Sequence, residues 1–158
     1  MIKQFTGKYQ FLSNFHLCLV EYEGLIYPSA EHAYQAQKTD ESNLADDAWK
    51  SKCQGIVQSE QPAHICPLFT PGKIKKMSYN EQLRDGWEGV KMGIMEGVLL
   101  AKFKQNKYLR DRLLATGNEE LQEGNSWHDT FWGIDSRTGY GENHLGKLLM
   151  KVRKQLKV

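Results

Sequence analysis

Several common functional signatures are missing from this 158-residue sequence. It contains no GxxxxGK[ST] phosphate loop, no GxGxxG after a strand, no HExxH and no GxSxG, which argues against the familiar nucleoside-triphosphate, dinucleotide, zincin and serine-hydrolase sites. No segment approaches the roughly 20 apolar residues of a membrane helix, and the first residues lack the apolar core of a signal peptide. We therefore expect a cytoplasmic protein that does not span a membrane.

Cysteine and histidine are also few, and the net charge is small. The three cysteines, Cys18, Cys53 and Cys66, have no CxxC spacing, which favours reduced packing residues over a disulfide framework or a zinc site. The five histidines show no metal-ligand spacing, so we expect no metal, and no cofactor is predicted. The net charge of +2 is too balanced for a nonspecific nucleic-acid coat, although it permits a local basic pocket.

What the sequence does contain predicts an α+β fold that is mainly α-helical, in one compact domain over residues 1–158. The first 27 residues look extended, and Glu23-Gly24 is placed to turn a small N-terminal hairpin. Ser29 is a good N-cap for a helix from about Ala30 to Lys38. Short strands or loops are expected over 119–141. Further helical spacing is found over 40–60, 80–103, 108–115 and 143–156, with an irregular proline-rich stretch, PAHICPLFTPGK, between the first two. Gly117 is expected to end the 108–115 helix as a C-cap. The inward face of the last helix is expected to consist of Leu145, Leu148, Leu149 and Val152.

The helix after Ser29 carries an unusual set of polar residues. Its residues Glu31, Tyr34, Gln35 and Lys38 are spaced i, i+3, i+4 and i+7, so they project from nearly one face. Spacing alone leaves a solvated surface helix and the wall of a reaction site equally open. The alanines between them leave little bulk to bury elsewhere, so we expect Tyr34 to point inward. Glu31 and Lys38 would follow it and have shifted pKa values.

Two further clusters admit two interpretations each. In FLSNF, residues 11–15, a turn between core aromatics competes with a ligand site in which Asn14 donates or accepts hydrogen bonds and Phe15 stacks. In RDGWEGVKMGIM, the i, i+3, i+7 spacing of Arg84, Trp87 and Lys91 predicts a cation–aromatic–cation strip suited to a phosphate-bearing ligand. Trp87 also lies on the apolar stripe of the predicted helix, where it would simply be core. The stripe consists of Leu83, Trp87, Val90, Ile94, Val98 and Ala101.

The last cluster, ELQEGNSWHDTFWGID, concentrates polar residues and tryptophans without regular periodicity, which favours a functional loop. Its candidates are Glu123, Asn125, Asp129 and Trp132. Glycines at 139, 141 and 146 then lead into the last helix, whose N-terminus could hold an anion.

Together these blocks resemble the NADAR family, which is named for a proposed link to NAD and ADP-ribose metabolism. The resemblance runs from about residue 4 to 154. One departure is that the family pattern has an aspartate directly before the tryptophan, whereas here Gly86 intervenes and the acid is Asp85. The matching residues are FLSNF at 11–15, SAEH at 29–32, Tyr34-Gln35-Ala36, Lys38, Arg84, Trp87, Lys91, Glu123, Asn125, Asp129, Trp132-Gly133, Gly141, Asn143, Leu145-Gly146 and Leu149-Met150.

The resemblance implies a compact, largely helical fold and a hydrolase with N-glycosidase activity. Some relatives are associated with removing ADP-ribose from guanine bases in nucleic acid, and this is the predicted substrate. Others are associated with cleaving the N-glycosidic bond of phosphorylated ribosyl-pyrimidines of the riboflavin pathway, which is the alternative. A second alternative is a sensor that binds ADP-ribose or NAD without cleaving it. The sequence predicts no particular protein partner.

The same resemblance suggests roles for individual residues. The predicted catalytic residues are Glu31, Lys38 and Asp129. Glu31 or Asp129 would act at the ribose as electrostatic partner or general acid–base, and Lys38 is a candidate Schiff-base nucleophile, with direct attack by water as the alternative. The predicted substrate-binding residues are Asn14, Phe15, Tyr34, Gln35, Arg84, Trp87, Lys91, Glu123, Asn125, Trp132, Gly133, Asn143 and Gly146.

Overall fold

The computed structural model describes residues 1–40, 44–54 and 70–157. Short 3-10 helices cover Gly7–Leu12 and Ser78–Asn80. The predicted α+β class, mainly helical with a small N-terminal hairpin and short strands, is confirmed. The elements in chain order are β1 (Leu17–Tyr22), β2 (Leu25–Ser29), α1 (Ala30–Ala36), α2 (Leu44–Gln54), α3 (Pro71–Met77), α4 (Trp87–Gln105), α5 (Lys107–Ala115), β3 (Gly124–Asn125), β4 (Ile134–Asp135) and α6 (His144–Leu156).

Contacts divide the chain into two compact units. The central unit is Leu17–Gln105, and the terminal unit combines Met1–His16 with the residues from Asn106 onward. The prediction of a single domain over residues 1–158 stays a prediction. None of the helices in the described ranges is long and apolar enough to cross a membrane.

The central unit begins with the predicted hairpin. β1 and β2 are antiparallel, and their register pairs Tyr22 with Leu25. Between them Glu23 and Gly24 both have positive φ, 50° and 77°. Positive φ at both central positions defines a turn whose twist matches that of the flanking strands. The prediction of a hairpin turning at Glu23-Gly24 is confirmed.

Helix α1 lies inside the central unit, and all of its residues are buried. It packs against β2, α2, α3 and α4. Its three alanines, together with Val20, Tyr27 and Trp49, belong to one apolar core, because small side chains let neighbouring elements approach closely. The predicted helix is confirmed from Ala30 to Ala36. After it, Lys38 N donates to Gln35 O at 3.2 Å in a tighter turn.

The long helix predicted for residues 80–103 begins later, at Trp87, and ends at Gln105. The prediction was wrong for the preceding segment because Gly86 adopts a φ of 71°, which periodicity does not reveal. Leu83 and Val90, both expected on the apolar stripe, are exposed. The residues that α4 buries are Trp87, Met95, Val98, Leu99, Lys102 and Phe103.

The expectation of extended chain through residue 27 is also wrong in one segment. Residues 7–12 form a 3-10 helix, with Tyr9 N donating to Thr6 O at 3.0 Å. Gly7 enters it with a φ of 54°, and Phe11 and Leu12 are buried side by side. Two adjacent buried residues fit a tight helical turn, whereas a half-buried strand would alternate.

The terminal unit is built on α5 and α6, which pack against each other. The predicted inward face of α6, residues Leu145, Leu148, Leu149 and Val152, is buried as expected. Gly117 has a φ of 60° and its N–H donates to Leu114 O at 3.0 Å, which confirms its predicted role in ending α5. The expected short strands are β3 and β4, which pair in parallel.

Part of the predicted second helix and most of the proline-rich stretch, residues 55–69, lie outside the described residues. Thr70 and Pro71 are described, and they begin α3. The Thr70 hydroxyl accepts a hydrogen bond from Lys73 N at 3.3 Å, and Pro71 occupies the first turn, where its missing N–H has no cost.

Candidate active site

The position of α1 is set at its first residues. The Ser29 hydroxyl accepts a hydrogen bond from His32 N at 3.1 Å, and it lies 2.6 Å from His32 Nδ1. Ser29 and His32 are both fully buried, so neither contact competes with water. This double contact caps the helix and fixes the direction in which Glu31, in the first turn, leaves the backbone.

Glu31 and Gln35 form a buried polar pair. Gln35 Nε2 donates to Glu31 Oε1 at 2.6 Å, and the two residues are 5% and 2% exposed. Gln35 Oε1 is buried and accepts no hydrogen bond from the described residues. A buried acceptor left unbonded costs about 1–3 kcal/mol, so this oxygen is a candidate acceptor for a donor on a ligand. The Gln35 amide therefore holds Glu31 through its nitrogen, and its oxygen is the atom that could accept a further hydrogen bond.

Lys38 follows α1 and is half-buried. Its Nζ donates to Ser78 Oγ at 3.3 Å and lies 5.8 Å from the centre of the Tyr34 ring. Burial lowers the pKa of the Lys38 ammonium, the negative charge of Glu31 opposes this shift, and the positive charge of Lys75 adds to it. A larger fraction of Lys38 is therefore the neutral amine at a given pH, which is the nucleophilic form.

Ser78 is a residue that sequence reasoning missed. It is buried, and its hydroxyl donates to Lys75 O at 2.7 Å while accepting from Lys38 Nζ. The hydroxyl is therefore held in one orientation with a lone pair toward the amine. No sequence signal pointed to Ser78, because it lies 40 residues beyond Lys38. It also follows directly after a lysine-rich helix, where a serine is usually interpreted as a helix cap.

Tyr34 and Trp87 pack against each other near Lys38, with ring centroids 5.4 Å apart at an angle of 49°. Both rings are buried. Trp87 thus belongs to the packed interior, one of the two interpretations that the sequence left open. Stacking of Trp87 on a substrate stays a prediction.

Arg84 and Lys91 do not form the predicted helical strip, because α4 starts only at Trp87. The Arg84 backbone N–H donates to Lys38 O at 2.6 Å, which ties the segment before α4 to the end of α1. Lys91 Nζ lies 2.5 Å from Glu88 Oε2, and its positive charge contributes to lowering the Lys38 pKa. Both residues are therefore close to α1. The predicted helical spacing was wrong for Arg84, which precedes α4, whereas Trp87 and Lys91 lie four residues apart within α4.

Cys53 of α2 is buried in the same unit. Burial raises the pKa of the Cys53 thiol, and the charges of Glu81 and Glu31 raise it further. A thiol with a raised pKa stays protonated and unreactive. In this part of the molecule the lysine amine is the better nucleophile.

The predicted residues of the terminal unit are engaged mainly with their own backbone. Asn125 Nδ2 donates to Asp129 O at 2.8 Å, and Asn125 Oδ1 accepts from Asp129 N at 3.0 Å. Asp129 Oδ1 accepts from Phe131 N at 3.2 Å and from Trp132 N at 2.9 Å. These four bonds close the 125–132 loop. A catalytic role for Asp129 stays a prediction, and the contacts give it a loop-closing role.

Asn143 and the two predicted glycines also make backbone contacts. Asn143 has a φ of 53°, its Oδ1 accepts from Glu123 N at 3.0 Å, and its Nδ2 donates to Leu121 O at 2.9 Å. A Cβ at Gly146 would lie 2.1 Å from Leu121 O, and one at Gly133 would lie 2.2 Å from Glu123 O. Glycine is required at both positions because another backbone segment passes against them.

The FLSNF segment gives a mixed outcome. Phe11 is buried as the turn interpretation requires, and Asn14 is buried as well, but Phe15 is 40% exposed. Phe15 N donates to Ser13 Oγ at 3.1 Å, which is the expected local turn contact.

Trp132 is half-buried and meets the Phe131 ring edge-on, with centroids 4.9 Å apart. Ligand contacts of Asn14, Phe15 and Trp132 stay predictions.

In the part of the chain that the structure describes, no three histidine, cysteine, aspartate or glutamate side chains are grouped in a way that could hold a metal ion.

Comparisons with known proteins agree over nearly the whole chain. The family model described as the NADAR domain matches residues 2–157. N-glycosidase YbiA of Escherichia coli K12 is 33% identical over 153 residues, covering 97% of this chain and 85% of that protein. The NMR structure of E. coli YbiA has a TM-score of 0.75 at 31% identity, covering 99% of this chain and 87% of that one.

A longer relative comes from Vibrio vulnificus. A riboflavin biosynthesis protein of that organism is 36% identical over 146 residues, which cover 92% of this chain. The chain spans only 35% of that protein's length.

Proposed function

Because the chain belongs to the NADAR family, we propose that it is an N-glycosidase that hydrolyses the bond between ribose C1 and a nitrogen of a base. The observation that carries this proposal is that the half-buried Lys38 amine, whose pKa is lowered by burial, follows directly after the short helix that holds the buried Glu31–Gln35 pair, and that the charge of Glu31 acts on this amine. N-glycoside hydrolysis needs a nucleophile at C1 and a proton donor for the departing nitrogen.

The proposed reaction proceeds through a lysine imine. The ribose ring opens, its ring oxygen takes a proton from solvent, and C1 becomes doubly bonded to the base nitrogen. The Lys38 lone pair adds to C1, and the Glu31 carboxylate takes the proton that the Lys38 nitrogen gives up. The base nitrogen leaves with the electron pair of the broken bond and that proton from Glu31, so that C1 becomes doubly bonded to the Lys38 nitrogen. Water then adds to C1, Lys38 departs as the amine, a proton returns to solvent, and the aldehyde closes to the released sugar, which keeps its phosphate groups. One water is consumed, and no oxidant is required.

Glu31 fits the acid–base role because Gln35 holds one of its oxygens at a fixed position. Asp129 stays the predicted alternative for this role. Direct attack by water on C1, without the imine, is the alternative to the lysine step.

For the substrate, we propose first an ADP-ribosylated guanine base in nucleic acid. The second candidate is a phosphorylated ribosyl-pyrimidine intermediate of the riboflavin pathway, and the name of the Vibrio vulnificus relative favours it. Both carry a ribose C1–N bond and phosphate groups, so the same amine and carboxyl groups serve either one.

Product analysis with both substrates tests the proposal. The protein is incubated with ADP-ribosylated guanosine DNA and, separately, with the riboflavin intermediates, and released base and sugar are followed by mass spectrometry. Borohydride is added during turnover, and peptide mapping locates any adduct. We expect release from one substrate and a reduced adduct on Lys38. Release without an adduct would contradict the lysine step, and tight binding of ADP-ribose without any release would favour the sensor.

A further inference from the structure

The last helix, α6, differs from the rest of the chain in charge. Residues 144–158 contain five lysines and arginines and no aspartate or glutamate. The whole chain has a net charge of +2, so the residues before 144 carry a net charge of −3. A one-sided charge concentrated in a single element favours an anionic partner for that element.

The charges of α6 lie on a defined face. Arg153 is buried and its Nη1 donates to Thr116 Oγ1 at 2.7 Å, so this residue serves the interior. Lys147, Lys151 and Lys154 are exposed. Their spacing of four and three residues places them on one side of the helix, along a length of about 10 Å. We call these three residues the lysine face.

We propose that the lysine face binds the phosphate backbone of a single strand of nucleic acid. The inference rests on the proposed function, since it makes the substrate a base within a strand rather than a free nucleotide. Three cations in a row replace the counterions of neighbouring phosphates, and the release of those ions drives binding. A single strand is the fitting form, because a base must leave the stacked duplex before an enzyme can act on it.

The packing of α6 argues against a membrane as the anionic partner. An interfacial helix inserts its apolar face among the lipids. In α6 that face, Leu145, Leu148, Leu149 and Val152, is already buried in the protein. The lysine face is exposed, and it offers charge without apolar surface.

Binding of a fluorescein-labelled oligothymidylate about 15 nucleotides long tests the inference by fluorescence anisotropy over a salt series. The variant Lys147→Gln/Lys151→Gln/Lys154→Gln should bind at least about tenfold more weakly than the wild type at low salt. The slope of log K against log salt should fall in magnitude by about 2, since each phosphate contact on a single strand contributes about 0.7.

The matched control is Lys73→Gln/Lys76→Gln/Lys104→Gln, which removes the same charge from exposed residues of the central unit. It should bind like the wild type. Equal weakening in both triple variants, or no weakening in the α6 variant, would overturn the inference. So would lysine-dependent binding to phosphatidylserine vesicles that matches binding to the oligonucleotide.

The probe carries no ADP-ribose, so binding is measured without turnover. Lys38→Ala should therefore bind it normally. A protein that cleaves riboflavin intermediates but does not bind the probe would leave the proposed glycosidase standing and remove the lysine face. A protein that binds the probe through the lysine face but cleaves neither substrate would support the lysine face and contradict the proposed glycosidase.

Discussion

Helix α1 of the central unit and the loop from Glu123 to Asn143 of the terminal unit both concentrate polar side chains. In the central unit these side chains bond to one another, as Gln35 does to Glu31 and Lys38 does to Ser78. In the terminal unit Asn125, Asp129 and Asn143 bond to backbone groups. A side chain that closes a loop is held by backbone groups, as Asp129 is through Oδ1, whereas a side-chain pair in a packed interior can exchange a proton. We therefore expect chemistry from the first region and loop geometry from the second.

The largest expected effect is the loss of the Lys38 amine. Lys38→Ala should lower kcat at least about a thousandfold, or about 4 kcal/mol, because the nucleophile is gone. Lys73→Ala, an exposed lysine of α3, is the control and should keep full activity. Steady-state kinetics on the substrate identified by product analysis measure both. Full activity in Lys38→Ala would remove the contrast between the two regions.

A glycine substitution tests the terminal unit. Gly146→Ala should lower the free energy of unfolding by about 3 kcal/mol or more, because the new Cβ would overlap the Leu121 carbonyl oxygen. Gly93→Ala on α4 meets no atom within 4 Å and should be neutral or stabilise by about 0.5–1 kcal/mol. Urea denaturation measures both. Similar stabilities for the two variants would contradict the close approach at Gly146.

Lys102, another lysine of the central unit, is buried but has no proposed catalytic role, so it shows what burial alone does to a lysine. Burial lowers the pKa of Lys102 from 10.5 to about 8. Between these values the unfolded chain binds more protons, so the wild-type free energy of unfolding should rise from about pH 8 to pH 10. Lys102→Met should be more stable at pH 7 by about 2 kcal/mol, lack this rise and keep its activity. A flat wild-type profile in urea denaturation would count against the buried charge.

Substitutions of Asp129 distinguish a loop-closing role from a catalytic acid–base role. Asp129→Asn keeps an oxygen for the Phe131 and Trp132 N–H groups but loses the charge. If the loop-closing role is the whole role, this variant should keep kcat within about threefold. Asp129→Ala should lose about 1–2 kcal/mol of stability in thermal unfolding. A kcat loss of a hundredfold or more in Asp129→Asn, with normal stability, would instead make Asp129 the acid–base residue.

The smallest expected effect concerns Ser78, which we regard as a positioning residue for Lys38. Ser78→Ala removes an acceptor that stabilises the charged ammonium, so the Lys38 pKa should fall further. The pH profile of borohydride trapping should then shift to lower pH, while kcat falls about threefold at its optimum because the amine is less well oriented. Ser78→Thr keeps the hydroxyl and should restore both. A lower kcat with an unchanged pH profile would indicate a merely structural role.

Local sequence rules predicted a large part of the fold and of the α1 site. The hairpin at Glu23-Gly24, the Ser29 cap and the shared face of Glu31 and Gln35 depend on residues a few positions apart. Turn chemistry, capping and helical periodicity act over that distance. The same rules failed at Gly86, whose positive φ shortened α4. Glycine adopts positive and negative φ about equally readily, so its presence in a sequence does not indicate which one occurs.

The sequence by itself determined which residues of α1 share a face and where the helix begins. Only the tertiary structure decided that α1 is buried, that Ser78 bonds to Lys38 across 40 residues, and that Asp129 closes a loop. It also decided that Lys102 lies in the interior while Lys147, Lys151 and Lys154 face outward. The reason is physical: a lysine's burial and its pKa depend on which distant segments pack around it, and periodicity carries no information about those segments.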